Sequence, residues 1–289
     1  MLALVHVLSM VAMTTLMSPS SLLAQADERT VYVAVLDKSD APVGGLAARE
    51  FVVREDGMSR EVLRASTATE PLQIVVLVDT SQAIEPHVLD LRTALRAFFK
   101  QMAGKHEIAL IGTGERPTVL VDYTRDLARL EKGLGGLFAR QGSGTYLMEA
   151  IISAGDGLRR RKAARPTIVS ITASGPEFSE QHHNGVLEKL RESGAALHSL
   201  VLTKPGVMRM DREGRELDLS IADGTKMTGG RRDDLLTSMA LSDRLQRLGT
   251  ELNSQYQVTY ARPRTLLPPK AMEVEVKRPE LTARARRWP

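Results

Sequence analysis

The sequence predicts an α/β fold: a doubly wound, mainly parallel, Rossmann-like sheet flanked along the chain by β segments. Three observations carry the prediction. Leu72–Val78 reads Leu-Gln-Ile-Val-Val-Leu-Val, the nearly unbroken apolar run of a parallel strand buried on both faces. From there to about residue 254, short apolar runs alternate with stretches of helical spacing, the pattern of a sheet covered by helices. Before and after that region the chain alternates β-forming runs with turn residues.

Composition sets the outer bounds. The chain has 289 residues, 43% hydrophobic and 26% charged, which is globular usage and excludes wholesale disorder. Cysteine is absent, so disulfides, cysteine-held zinc, iron–sulfur clusters and thiol nucleophiles are excluded. Aromatics are only 4%, which argues against base stacking on single-stranded nucleic acid. The 39 basic residues face 35 acidic ones. The surface is therefore mixed in charge, and no nucleic-acid partner is expected.

The elements follow in order. Met1–Leu23 contains no Lys, Arg, Asp or Glu, and Leu2–Met17 is apolar apart from His6, Ser9, Thr14 and Thr15. Ala24-Gln25-Ala26 then precedes Asp27-Glu28, as at a secretory cleavage site, so residues 1–26 read as a signal peptide and the mature chain as secreted or periplasmic. The pattern lacks a basic residue ahead of its apolar core; a retained membrane anchor and a buried N-terminal helix are the alternatives. No later window is apolar and long enough to span a bilayer.

Residues 27–70 read as a β segment: Thr30–Leu36, then Phe51-Val52-Val53, a Glu55-Asp56-Gly57 hairpin signal and a returning strand at Glu61–Ala65. Residues 71–254 read as the α/β domain. After Leu72–Val78, Val88–Met102 has a helical stripe of Val88, Leu91, Leu95, Phe98, Phe99 and Met102. Ile108–Ile111 and Thr118–Val121 are predicted strands. Asp126–Leu137 and Tyr146–Leu158 are predicted helices. Thr167–Thr172 and Ala196–Leu202 are further buried strands, with a helix at Asn184–Glu192 between them. Thr203–Gly230, rich in Gly, Met and charge, reads as a long surface excursion, and Asp233–Leu252 as a helix. Residues 255–289 return to β with Tyr256–Tyr260, Ala271–Val276 and Leu281–Ala285. The two β segments are expected to pack together as a small sandwich.

Three turns would meet at the carboxyl edge of such a sheet, where α/β proteins bind their ligands. They are Asp79-Thr80-Ser81-Gln82-Ala83, Gly142-Ser143-Gly144-Thr145 and Ala173-Ser174-Gly175. In their order and setting they resemble the von Willebrand factor A-type proteins of bacterial secreted lineages. There an apolar strand ends in Asp-x-Ser-x-Ser, a Gly-Gly-Thr-type turn opens a later helix, and a further strand ends in Thr-Asp-Gly. The flanking β runs, Thr228-Gly229-Gly230-Arg231 and the tail from Val274 to Arg287 are also similar to that group, from about Thr30 to Arg287.

The resemblance implies a non-enzymatic, adhesion-type module that binds a protein partner. It also implies a metal-ion-dependent adhesion site at Asp79, Ser81 and Thr145, holding Mg²⁺ or Mn²⁺. Gln82, Ser143 and Ser174 would form the ligand rim. Two positions depart from the family: Ala83 stands for the second serine and Ser174 for the aspartate. Mg²⁺ demands near-octahedral oxygen ligation, so the expectation is a degenerate site that binds an ion weakly or not at all. Asp79 would then cap its turn and Thr145 would cap its helix.

Other chemistries fit less well. Gly112-x-Gly114 lacks the third glycine of a dinucleotide turn. Ser143 and Ser174 lie outside a Gly-x-Ser-x-Gly frame, although either with His182 or His183 imitates a triad on paper. The adjacent histidines lack the one-turn spacing of a zinc pair. Arg159-Arg160-Arg161-Lys162 suits a helix C-terminus, and the basic tail a strand with one wet face. A serine hydrolase using Ser174 or Ser81, and a structural component of an envelope complex, remain the alternative functions.

Overall fold

The computed structural model describes residues 26–203, 211–264 and 267–288; residues 1–25, most of the segment read as a signal peptide, lie outside them. The chain opens with β1 (Ala26–Leu36), β2 (Phe51–Glu55), β3 (Met58–Arg60), β4 (Val62–Thr67) and β5 (Leu72–Val78). Then come α1 (Val88–Met102), β6 (Glu107–Gly112), β7 (Thr118–Thr124), α2 (Leu127–Leu134), α3 (Leu147–Arg160), β8 (Arg165–Ala173), α4 (His183–Ser193) and β9 (Ala196–Leu202). The last elements are α5 (Arg212–Thr228), β10 (Arg232–Leu235), α6 (Leu241–Asn253), β11 (Tyr256–Pro263), β12 (Met272–Val276) and β13 (Thr282–Ala285).

Six strands form the central sheet in the order β10-β9-β8-β5-β6-β7. All neighbours are parallel except β6 and β7, which run antiparallel. The two-residue alternation of β5 decides what each face buries. Ile74, Val76 and Val78 join the core beneath α1, α2 and α6, whereas Val75 and Leu77 join the core beneath α3, α4 and α5. Helices thus cover both faces, and the expected doubly wound, mainly parallel sheet is present.

The remaining strands form two antiparallel sheets, β13-β1-β11-β4 and β12-β2-β3. They share a core of Val31, Val33, Val35, Phe51, Val53, Tyr256, Val258 and Met272. Glu55, fully buried there, accepts from Tyr260 Oη at 2.8 Å and Arg60 Nε at 2.9 Å, which offsets the cost of burying its charge.

Three local expectations are corrected. The Asp56-Gly57 turn returns as Met58–Arg60, paired with β2, whereas Val62–Thr67 leaves that sheet to pair with β11. Within Thr203–Gly230, residues 212–228 are helix α5 rather than a surface excursion. Asp211 caps it by accepting from Gly214 N at 3.0 Å, and Leu217 and Ile221 are buried; residues 204–210 lie outside the described chain. The helix predicted over Asp233–Leu252 begins only at Leu241, because Arg232–Leu235 pairs parallel with β9 as an edge strand. The Gly229-Gly230 pair is explained by close approach. A Cβ on Gly229 would lie 2.3 Å from Ala285 C, and one on Gly230 would lie 1.8 Å from Leu197 O.

Candidate functional site

The site is built at the carboxyl edge of the central sheet by four loops. These follow β5, β6 and β8 and lead into α3. Asp79, at the end of β5, is 1% exposed. Its Oδ1 accepts from Ser81 N at 2.8 Å, the turn-capping bond expected of it. Its Oδ2 accepts from Ala173 N at 3.0 Å and Thr172 Oγ1 at 3.2 Å. Asp79 therefore locks the loop after β5 to the end of β8.

Thr145 is equally buried but does not cap its helix. The N-cap of α3 is Tyr146, without a side-chain bond. The Thr145 hydroxyl instead pairs with Thr113 Oγ1 at 2.8 Å, while its N–H donates to Pro176 O and its carbonyl accepts from Phe178 N. It is drawn into this bridge between the loops after β6 and β8, so the cap expectation fails. Gly144 beside it has no room for a side chain: a Cβ would lie 2.8 Å from the Phe178 ring and from Pro176 O.

The rim residues lie at the same edge. Gln82 Oε1 accepts from Gly142 N at 3.0 Å, and Gln82 N donates to Ser143 O at 3.3 Å. Ser143 Oγ donates to Arg140 O at 2.8 Å. Ser174 N donates to Leu202 O at 2.9 Å, tying the β8 loop to β9. Asp79, Ser81, Gln82, Ser143, Thr145 and Ser174 thus all belong to one cross-bonded edge.

Several contributors escaped the sequence reading. Thr80 Oγ1 accepts from Gly114 N at 2.8 Å, and Thr80 O accepts from Arg140 N at 2.9 Å. Glu177, 2% exposed, accepts from Ser179 N at 3.0 Å and from Leu147 N at 3.3 Å at the start of α3, where helix-terminal N–H groups favour an anion. Thr113 and Thr172 complete the network. The only sequence signal for Glu177 was an acid following a Gly-Pro turn.

The donor set does not suit a tightly held divalent ion. Ser81 Oγ is buried and without a hydrogen-bond partner, so one hard oxygen is available. Asp79 is the sole carboxylate among the predicted ligands, and both its oxygens already accept protein hydrogen bonds. The Thr145 hydroxyl is engaged by Thr113. Ala83, whose Cβ stands 2.5 Å from where a Gly175 Cβ would be, places a methyl group where the family has a hydroxyl. Among the described residues no group of three or more His, Cys, Asp or Glu is arranged to hold a metal. One charge and pinned ligands do not fit a tightly held Mg²⁺.

A serine–histidine arrangement is not formed by these groups. His182 and His183 both lie beside Glu216, at 4.0 and 3.8 Å, and His183 lies 3.9 Å from Asp223. Ser143 donates to a backbone carbonyl. Neither histidine shares a hydrogen bond with Ser81, Ser143 or Ser174 among the described residues.

Around this network exposed apolar side chains stand among exposed charged ones such as Glu85, Glu115 and Arg116. Leu89 at the start of α1, Phe138 before α3, Phe178 after β8, and Leu236 and Met239 after β10 are exposed by 77, 55, 47, 76 and 80%. Phe178 stacks edge-on against Tyr146 at 6.1 Å, which fixes its orientation over the loop.

The sequence profile of the von Willebrand factor type A domain matches residues 74–176. No curated protein matches in sequence. Similar solved structures include the von Willebrand factor type A protein from Catenulispora acidiphila, at 12% identity and a TM-score of 0.51, covering 91% of this chain and 74% of that one. Another is proximal thread matrix protein 1 from the mussel byssus, solved with a zinc-occupied MIDAS motif, at 12% identity and a TM-score of 0.52, covering 69% and 50%. A third is the pilus adhesin SpaC from Lactobacillus rhamnosus GG, at 11% identity and a TM-score of 0.50, covering 87% and 48%. At these identities the likeness is one of fold.

Proposed function

We propose, from the premise that residues 74–176 of this chain belong to the von Willebrand factor type A family, that the protein is an exported, non-enzymatic module binding a protein partner at the carboxyl edge of its central sheet. Residues 1–26 act as the export signal, and 71–254 form the binding domain between the two β segments. The partner is held by shape, apolar contact and hydrogen bonds, with a divalent ion bound weakly or not at all.

One observation carries this reading: five exposed large apolar side chains, Leu89, Phe138, Phe178, Leu236 and Met239, emerge around a loop network that is itself rigidly hydrogen-bonded. Exposed apolar groups of this size, rimmed by polar ones, mark protein-binding surfaces, and aromatic anchors supply most of the energy at such surfaces. Asp79, Ser81 and Thr145 sit beneath, as the framework that holds the loops. Gln82, Ser143 and Ser174 supply the polar rim.

Pull-down from the native secretome and envelope fraction tests this. Wild type should retain a discrete partner in chelator, and Phe178→Ser should lose it at least tenfold, about the 1.4 kcal/mol expected of an interface anchor. Retention of the same partner by Phe178→Ser and Leu236→Ser together would place the binding surface elsewhere.

A further inference from the structure

The opposite end of the molecule holds a second feature. A cavity of about 320 Å³ lies at the amino edge of the central sheet, between the starts of β8 and β9, the C-terminal ends of α4 and α5, and strands β1 and β13. That is room for about ten waters at roughly 30 Å³ each. Three arginines line it, Arg165, Arg284 and Arg286, and no Asp or Glu does.

Each of these arginines has a buried Nε–H without a hydrogen-bond partner. Arg165, 4% exposed, uses its other nitrogens on Glu70 O at 2.7 Å, Leu252 O at 3.2 Å and Gln255 Oε1 at 2.7 Å, and its guanidinium stacks over the Tyr32 ring at 5.0 Å. Those contacts use three of its five N–H donors and fix its plane. Arg284 is paired with Glu251 on α6. Arg286 has no carboxylate partner among the described residues, and burial lowers its pKa. The carbonyl end of α4 lies near it, with Arg286 Nη1 3.6 Å from where a Gly194 Cβ would be. A helix C-terminus offers only about half a charge.

Arg165 and Arg286 depart from the usual rule that buried cations are ion-paired: among the described residues neither has a carboxylate within ion-pair distance, whereas Arg284 does. The cavity combines clustered guanidiniums and empty volume with no acid among the lining residues. Guanidinium is the side chain suited to planar, multidentate recognition of carboxylate or phosphate. We propose that this cavity is a binding site for a small oxyanion, a carboxylate or a phosphate, held by Arg165, Arg284 and Arg286. The site would join β13 to the α/β domain, so its occupancy would couple the C-terminal β segment to that domain.

Calorimetric titration of the full chain with inorganic phosphate and, separately, with succinate tests this, against chloride at matched ionic strength. The expected result is one saturable site for at least one anion, with affinity at least tenfold lower in Arg286→Gln and thermal unfolding shifted upward by that anion in wild type only. Phosphate alone would assign a phosphoryl ligand, and succinate alone a carboxylate ligand. If Arg286→Gln fails to fold, Arg286→Lys, which keeps the charge and removes the planar donor set, is expected to show the same loss. No saturable binding of either anion, or equal binding by wild type and the Arg286 variant, would overturn the proposal.

Discussion

Asp79 and Thr145 show how far a residue's role can be read from its neighbours in sequence. Asp79 caps the turn two residues on, a contact set by local geometry, and the Asp-x-Ser spacing reveals it. Thr145 was equally suited to cap α3, yet its hydroxyl meets Thr113, 32 positions away. Nothing in the local sequence encodes that pairing; it exists because the loop leading into α3 bridges to Gly114 after β6 and to Glu177 after β8, which sets Thr145 beside Thr113. His198 carries a sharper consequence. It is 1% exposed, neither ring nitrogen has a hydrogen-bond partner, and burial, with Arg284 and Arg231 nearby, pushes its pKa down to about 3. Asp40, Asp233 and Glu251 also face the same small cavity. The unfolded chain protonates this histidine near pH 6.5, and the folded protein does not until about pH 3. Unfolding therefore takes up a proton between those values, and stability falls as pH drops through that window, by a few kcal/mol on the order of magnitude. Denaturant titrations at pH 7 and pH 4.5 should show a smaller acid loss in His198→Leu than in wild type. Equal losses would contradict the neutral buried state.

Elements were legible where one physical signal dominated. The β-branched, largely apolar runs at Leu72–Val78 and Thr167–Thr172 read as doubly covered strands, and they form the centre of the sheet as β5 and β8. Helix α5 was hidden because its buried stripe is built from small residues. Gly214, Leu217, Ser220, Ile221, Gly224, Thr225 and Thr228 recur at helical spacing, but only two are large and apolar. Small residues let α5 lie close to α4 and β9, and in the sequence they read as loop. The reverse error occurred at Leu236 and Met239, whose spacing suggested a helix although both are exposed. The contrast is measurable. Leu217→Ala should cost about 2–4 kcal/mol as a core truncation, whereas Leu236→Ala should stay within about 0.5 kcal/mol. A neutral Leu217→Ala would mean that residues 203–230 are the surface excursion their composition suggested.

For the molecule as a whole, the order of segments was readable and the chemistry of the edge only partly so. The β runs before and after the α/β region close into two sheets with a common core, which places both flanks on the amino side of the central sheet. The carboxyl side is left for the loops, and there the sequence brought Asp79, Ser81 and Thr145 to one edge but gave no sign of the exposed apolar side chains around them. Phe138 and Phe178 lie in segments with no periodicity, so their exposure follows from tertiary placement alone. The same placement decides what the positions that resemble an ion site do. With Ala83 and Ser174 in place of a hydroxyl and a carboxylate, both oxygens of Asp79 are engaged in holding β5 and β8 together, and the proposed binding mode needs no ion there. Calorimetric titration of Mn²⁺ into the wild-type protein tests that claim most directly. No saturable heat is expected, or a Kd no tighter than about 1 mM, near −4 kcal/mol. A micromolar site abolished by Asp79→Asn would contradict it and restore a metal-dependent mode of binding.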